Sequence, residues 1–336
     1  MNFFVEGGIM ETKSKLRMFL EKVPYLVESY HYFKYVFPWI FYFKPKVLEI
    51  NGSKMYLNVN EPDRDLRKTF RIYAANRIHE QHTTWMIERE LLQRGQTYLD
   101  LGANIGYFSL LAAKIVGPSG KVFSFEPEPR NFSCLVKNKE LNGYAQMNPF
   151  QKAASDKDGK TTLYICPYDT GHHTIRQSEG ITSYETNAKF DKERITAVDV
   201  PTISIDAFLR EQNISEVDLI KIDVEGAEFL AINGMKETLK GCRNTKIIME
   251  FFPLLIEKMG NSPERLLVQL TAEFGFEMFE ISDDYDSEKS TENFLKKINS
   301  ADEILAKYRE KKMYHINLLL LKRGNARYEQ IVNFKL

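Results

Sequence analysis

The sequence predicts an α/β fold: a mostly parallel sheet covered by helices on both faces, with an antiparallel C-terminal edge strand. Three observations carry this reading. From residue 96 onward, short apolar β-prone runs alternate with amphipathic helical stretches, the pattern of parallel strands joined by crossover helices. The run "TYLDL" enters a turn with small or polar residues at alternate positions, Gly102, Asn104 and Gly106, and a helix follows at once. Finally, "GFEMFEIS" and "YHINLLLLKR" close the chain as strands without a crossover helix between them, which places the last one antiparallel at an edge.

The elements follow in chain order. Residues 23–43, "VPYLVESYHYFKYVFPWIFYF", are dense in Tyr, Phe and Trp, interrupted by Glu28, His31 and Lys34 and broken at Pro38. A membrane-spanning helix needs about 20 mainly apolar residues. The stretch therefore reads either as an aromatic helical pair packing on the main domain, or as an interfacial segment touching a membrane or a partner protein. "KVLEINGSKMYLNV" (46–59) is a hairpin about Asn51-Gly52, a pair that accepts the positive φ angles of a tight hairpin turn.

Residues 66–94 are helical, with Trp85, Ile87, Leu91 and Leu92 as the apolar positions. Helices are predicted over 106–116 and 129–142, the latter ending at Asn142-Gly143, with "KVFSFEP" as the strand between them. "MNPFQKAAS" and "KTTLYIC" are strand-like, and a polar loop spans 167–196. "ISIDAFLREQN" is a helix capped near Ser204 or Asp206, and "VDLIKIDVEG" a buried strand. A helix over 227–240, the strand "TKIIMEFFP" and a helix over 262–274 complete the alternation, and 283–312 reads as a charged, solvated insertion with a helix. Two parts result: an N-terminal helical and hairpin extension over 1–79, and the α/β domain over 80–336.

Composition narrows the function. The chain has 336 residues with 46 basic and 46 acidic side chains, which argues against binding nucleic acid by phosphate neutralisation. Cys134, Cys166 and Cys242 are scattered and odd in number, as expected of reduced thiols without a structural zinc site. The N-terminus lacks the order of a signal peptide. The expectation is a cytoplasmic protein, peripheral to a membrane if 23–43 is interfacial.

In open α/β sheets, ligands sit beyond the carboxyl ends of the strands. Asp100 ends the first strand of the alternation, Gly102 and Gly106 let the backbone turn tightly, and the following helix offers free N–H groups. A dinucleotide fingerprint, G-x-G-x-x-G, would need a third glycine, but Gly106 is followed by Tyr107, Phe108 and Ser109. The motif suits a smaller ligand, with Asp100 meeting an amino group or a hydroxyl. Glu126 closes the next strand, where a carboxylate can accept from both ribose hydroxyls. In "KAASDKDG", Ala153 and Ala154 leave room for a flat base, and Asp156 can accept from an exocyclic amine.

Taken together, "LDLGANIGYFSLLAAK", "FEPEPRNFSCLVKN", "KAASDKDG", "TISIDAFL", "VDLIKIDVEGAE" and "IIMEF", in that order, resemble the FkbM-type family of class I S-adenosylmethionine-dependent methyltransferases. The resemblance covers about 80–255 and implies a Rossmann-like class I methyltransferase sheet with S-adenosyl-L-methionine as cofactor. It implies that Asp100, Gly102, Asn104 and Gly106 hold the methionyl and ribose parts, Glu126 the ribose hydroxyls, and Asp156, with Ala154, the adenine. Glu80 and Thr84, in "HEQHTTW", stand where such proteins often carry a Glu and a Thr ahead of the first motif strand. The first 45 residues match nothing in the family.

Methyl transfer to a hydroxyl needs an aligned nucleophile and removal of its proton. Asp223 closes the "LIKIDVEG" strand, with Lys221 two residues earlier on the same face and Glu225 and Glu228 at the start of the next helix. Asp223 reads as the general base, or as a residue that orients the cofactor or caps the helix. A magnesium site from Asp223, Glu225 and Glu250 is a third reading, weakened because "EFFP" offers no further oxygen ligand beside Glu250; no metal is expected. His172 and His173 fall in the polar loop, where His173 could face the acceptor. The function expected is O-methylation of a hydroxyl on a sugar, glycolipid or secondary metabolite, with a small-molecule or glycan acceptor. An NAD-dependent oxidoreductase and a catalytically silent cofactor-binding scaffold are the competing classes.

Overall fold

The computed structural model describes residues 46–57, 78–165, 196–282, 294–310 and 315–334. The stretch 23–43, Cys166, His172 and His173 lie outside them, as do 66–77 of the predicted first helix. By compactness the chain divides into Met1–Lys46 with Asn58–Glu61, and Val47–Leu57 with Pro62–Leu336. The hairpin, read from sequence as part of the extension, thus belongs to the larger unit.

The described elements begin with hairpin strands β1 (Lys46–Ile50) and β2 (Ser53–Leu57). Helix α1 (Gln81–Met86) continues as a π-helical turn, Ile87–Leu91. Then come β3 (Thr97–Leu101), α2 (Tyr107–Val116), β4 (Lys121–Phe125), α3 (Pro129–Asn142) and β5 (Met147–Phe150). The short β6 (Ala153–Ala154), β7 (Gly159–Ile165) and β8 (Thr196–Ile203) follow. Next are α4 (Ile205–Glu211), β9 (Leu219–Ile222), α5 (Glu228–Asn233), α6 (Lys236–Gly241) and β10 (Lys246–Phe251). The chain closes with α7 (Pro253–Lys258), α8 (Pro263–Val268), β11 (Phe276–Ile281), β12 (Leu295–Ile298), α9 (Ala301–Arg309), β13 (Ile316–Lys322) and α10 (Tyr328–Val332).

The central sheet runs β12-β11-β13-β10-β9-β3-β4-β5. β5, β4, β3, β9 and β10 are mutually parallel. Their side chains (Leu99, Leu101, Phe123, Phe125, Ile220, Ile222, Met249 and Phe251) are buried in one core with the flanking helices, as expected for strands covered on both faces. A second sheet, β6-β8-β7, is mixed.

The last strand is antiparallel, as expected, but it is not at the edge. β13 pairs antiparallel with both β10 and β11, because its run "INLLLL" is apolar on both faces and needs a covered interior position. The edge is β12, inside the segment read as a solvated insertion. The helix expected in that segment is α9, but it is not fully solvated: its Ile304 and Leu305 join the main core. The predicted helix 227–240 is likewise two helices. A Cβ at Gly234 would lie 1.9 Å from the Ser155 carbonyl oxygen, so a close backbone approach interrupts the helix there.

Caps fix the elements nearest the site. The Glu128 carboxylate accepts from Asn131 N at 2.6 Å, Pro129 takes the first helical turn, and Gly143 ends α3 at φ +62°, each where the missing helical partners require it. Ser204 caps α4. Asp206 instead accepts from Glu237 N and Thr238 N at the start of α6. Among the described residues, no helix is long and apolar enough to cross a membrane.

Candidate active site

The carboxyl ends of β3 and β9 are pressed together. Gly102 adopts φ +84°, and a Cβ there would sit 1.7 Å from the Asp223 carbonyl oxygen, so only glycine fits. Asp100 and Lys221 are register partners on these strands, and both are buried. Lys221 Nζ donates to Asp223 Oδ2 at 2.7 Å and lies 4.6 Å from the centre of the Phe108 ring. Burial works against this ammonium, but Asp223, Glu80 and Asp100 outweigh it and hold its pKa above the ordinary lysine range.

The carboxylates around it divide by environment. Burial pushes Asp100 up to about 6 against the pull of Lys221 and of Ser109 Oγ, which donates to it at 2.5 Å. Asp223 is only half-buried, and Lys221 and a hydrogen bond from Glu250 hold it below the ordinary range. Glu250 is driven the other way, well up, by burial and by the neighbouring Asp223 and Glu225. Glu250 therefore carries the proton of the pair. Ligand atoms of Asp223, Glu225 and Glu250 lie within 4.8 Å of one another, and the Lys221 ammonium and the Glu250 proton together offset the charge of this trio.

The second part of the site is the loop between β3 and α2. Asn104 and Gly106 take φ +49° and +97°, and the loop closes on itself: Ile105 N donates to Asn104 Oδ1 at 2.7 Å and Gly106 N to the Ala103 carbonyl at 2.9 Å. Asn104 N donates to Glu126 Oε2 at 2.8 Å, and Glu128 N donates to Glu126 Oε1 at 2.9 Å. Glu126 is 5% exposed, and burial pushes it up to about 8 in spite of these bonds. Ala154 is buried in the main core, while Asp156 is exposed and accepts from Ser155 Oγ at 3.2 Å.

The third part comes from α1 and β13. Glu80 caps α1 in a left-handed conformation, φ +41°. Its carboxylate lies 3.3 Å from His79 Nε2 and accepts from Asn317 Nδ2 at 3.3 Å. Burial raises it, but Lys221 and His79 prevail and hold it below its ordinary value. Thr84 Oγ1 donates to the His79 carbonyl at 2.8 Å and is 3.1 Å from Tyr107 Oη. His315 Nε2 is 3.5 Å from Glu250 Oε1, with its ring centre 5.7 Å from that of Phe252.

Glu80, Asp100, Lys221 and Asp223 thus act on one another electrostatically, with Gly102 holding β3 and β9 close, and Glu225 acts on Glu250. Asn104, Gly106 and Glu126 form the adjoining cradle, and Thr84 is one bond removed. His79, the protonated state of Glu250, His315 and Asn317 were missed from sequence. The last two had a signal: an antiparallel final strand starts at the edge where the parallel ones end, so residues opening "HINLLLL" reach the site.

A buried Glu228 underlies the turn. It accepts from Gly226 N at 2.9 Å, and burial pushes it up to about 7.

Comparisons with known proteins fit this geometry. Methyltransferase 1 of Beauveria bassiana is 31% identical over 147 residues, 41% of this chain and 58% of that one. The 2-O-methyltransferase NoeI of Sinorhizobium fredii is 30% identical over 43% of this chain and 59% of its own. The 31-O-demethyl-FK506 methyltransferase FkbM of Streptomyces tacrolimicus is 28% identical over 44% of this chain and 62% of its own. The chain thus spans about 60% of the length of the curated relatives it matches. The model of the methyltransferase FkbM domain matches residues 100–278, more than half of the sequence, and the chain belongs to the FkbM methyltransferase family.

Proposed function

We propose that the chain is an S-adenosyl-L-methionine-dependent O-methyltransferase acting on a hydroxyl of a sugar or secondary metabolite. The observation that carries this reading is the pair of buried carboxylates, Asp100 and Glu126, ending adjacent parallel strands around a loop with left-handed residues. Membership of the family supports it, as do relatives named as a 2-O-methyltransferase and as a 31-O-demethyl-FK506 methyltransferase.

The residues fit the cofactor's chemistry. Glu126 is a buried carboxylate pushed up to about 8; hydroxyl donors from a ribose would relieve the cost of its charge. Asp100, with Glu80, would hold the cationic amino group of the methionyl part. Ala154 leaves room for the adenine, and Asp156 accepts at its edge. When bound, the cofactor supplies an electrophilic methyl group.

This chain's own groups then handle the acceptor. Asp223 stays ionised beside Lys221 and takes a hydrogen bond from the acceptor hydroxyl, orienting its oxygen. A depressed pKa makes Asp223 a weak base, so it serves as the first stop for the proton rather than its final holder. The pair already holds one proton, on Glu250, so as Asp223 takes the hydroxyl's proton Glu250 gives up its own to His315 Nε2, 3.5 Å away on a ring 35% exposed to water. Lys221 keeps the trio of carboxylates from repelling the arriving oxygen.

The test is incubation of the protein with methyl-labelled S-adenosylmethionine and fractionated small molecules and glycans. Label is expected in a product one methylene unit heavier, and Asp223→Asn is expected to cut turnover at least 100-fold while cofactor affinity stays within about 3-fold. Label retained by no fraction, with the cofactor bound, would refute the transferase reading.

A further inference from the structure

The hairpin is fastened to α3 in an uncommon way. Two asparagines four residues apart on the helix replace the strand that β2 lacks on that side. Asn142 Oδ1 accepts from Lys54 N at 2.7 Å while its Nδ2 donates to the Lys54 carbonyl at 2.7 Å. Asn138 Oδ1 accepts from Tyr56 N at 2.6 Å, and its Nδ2 reaches the Tyr56 carbonyl at 3.5 Å. The match is geometric: helix positions i and i+4 are about 6 Å apart along the axis, close to the roughly 6.7 Å between alternate residues of a strand.

Ser53 Oγ lies 2.8 Å from Tyr144 Oη, and Lys137 Nζ sits 3.4 Å from the centre of the Tyr56 ring. The turn is held separately on α2, where Lys114 Nζ donates to the Asn51 carbonyl at 2.6 Å and Asn51 Nδ2 donates to Tyr107 Oη at 2.8 Å.

Asn138 differs from Asn142 in its burial and in what else it holds. It is fully buried, and its Nδ2 also donates to the Ile105 carbonyl at 2.8 Å. That carbonyl lies between Asn104 and Gly106, both left-handed, in the segment whose N–H is bonded to Glu126. A buried carbonyl stripped of its donor loses the full desolvation cost of the group, so Asn138 fixes the carbonyl side of the loop while Glu126 fixes its N–H side. One amide therefore joins the hairpin to the cofactor loop.

We propose that Asn138 is a positioning residue that couples seating of the β1–β2 hairpin to binding of the nucleoside cofactor, a coupling that rests on the function proposed above. Hairpin seating satisfies the Asn138 carbonyl oxygen and orients its amide; the amide holds Ile105, and Ile105 keeps Asn104 N on Glu126. Asn142 touches the hairpin and, through Nδ2, the main-chain carbonyl of Asn138 at 2.8 Å, so its removal reaches the cofactor loop through Asn138.

The experiment is a double-mutant cycle with Asn138→Ala, Asn142→Ala and the double variant, each first shown to be folded by circular dichroism. Calorimetry with S-adenosylhomocysteine gives affinity, and hydrogen exchange of the amides at 102–107 gives loop order without ligand. Asn138→Ala is expected to weaken binding about 10-fold or more and to speed exchange in the loop. Asn142→Ala is expected to weaken binding 3-fold or more, and to add nothing once Asn138 is absent. Affinity of Asn138→Ala within 2-fold of wild type, or effects of the two substitutions that simply multiply, would overturn the coupling. Wild-type protein that binds no S-adenosylhomocysteine would overturn the proposed function instead, with the exchange cycle still deciding whether hairpin and loop are joined.

Discussion

Cofactor binding is expected to strip a proton from Glu126. Burial pushes that carboxyl up to about 8, so at pH 7 about nine-tenths of the ligand-free protein carries the proton. Ribose hydroxyls donating to the carboxylate favour its ionised form and return it toward the ordinary value of 4.5. Binding at pH 7 then releases about 0.9 proton, which costs about 1.4 kcal/mol relative to binding well above pH 8. The sign follows: affinity rises with pH, by up to about 10-fold per unit, and levels off above about 8.

Asp100, pushed up to about 6, is largely ionised at pH 7 and adds little there. The assay is titration calorimetry with S-adenosylhomocysteine at pH 7 in buffers of different ionisation enthalpy. The slope of apparent enthalpy against buffer enthalpy counts the protons released. Wild type is expected to give about 0.9, and Glu126→Gln a slope near zero with weaker binding. A flat wild-type slope, or proton uptake, would show that no hydroxyl donor meets Glu126.

Other consequences concern the unligated protein. Lys221→Met removes the cation shared by Asp223, Glu80 and Asp100; it is expected to cost about 2–4 kcal/mol in urea unfolding at pH 7, below the full buried-pair value because Asp223 is partly exposed, and less at pH 5. An undiminished urea midpoint would contradict the charge assignment. Gly102→Ala puts a Cβ against the Asp223 carbonyl oxygen at a positive φ, and a loss of about 3 kcal/mol or more is expected; wild-type thermal stability would refute the close approach. Asp100, Glu228 and Glu126 all bind protons more tightly folded than unfolded. Their contribution is present below about pH 4.5 and is lost as pH rises to about 8, so urea midpoints of the ligand-free protein are expected to fall between pH 5 and 8. A rise over that window would go against the buried, protonated state of these groups.

How much of this was legible in the sequence depended on whether the determinant was local. Asp100 and Glu126 could be placed because each ends a short apolar run and precedes a helix, and strand ends in parallel sheets share one edge. Gly102 announced itself as a turn residue, although its reason, the neighbouring Asp223 carbonyl, belongs to another strand. Strand order was not local. The apolar run of β13 calls for a covered position but does not say between which strands, and only pairing with both β10 and β11 brings His315 and Asn317 beside Glu250 and Glu80. The hairpin was visible as a hairpin, but its anchorage on Asn138 and Asn142 was hidden, since two asparagines on a polar helix look like surface residues. The charge state of Asp223 was not legible: Lys221 two residues away was noted, but its burial was not, and the buried ammonium holds Asp223 ionised.

The most direct test is a crystal structure of the protein grown with S-adenosylhomocysteine. Ribose hydroxyls within hydrogen-bonding distance of Glu126, with the sulfur lying toward Asp223, are the predicted result. A nucleoside seated away from the ends of β3 and β4, in crystals where those strand ends are open to solvent, would contradict it.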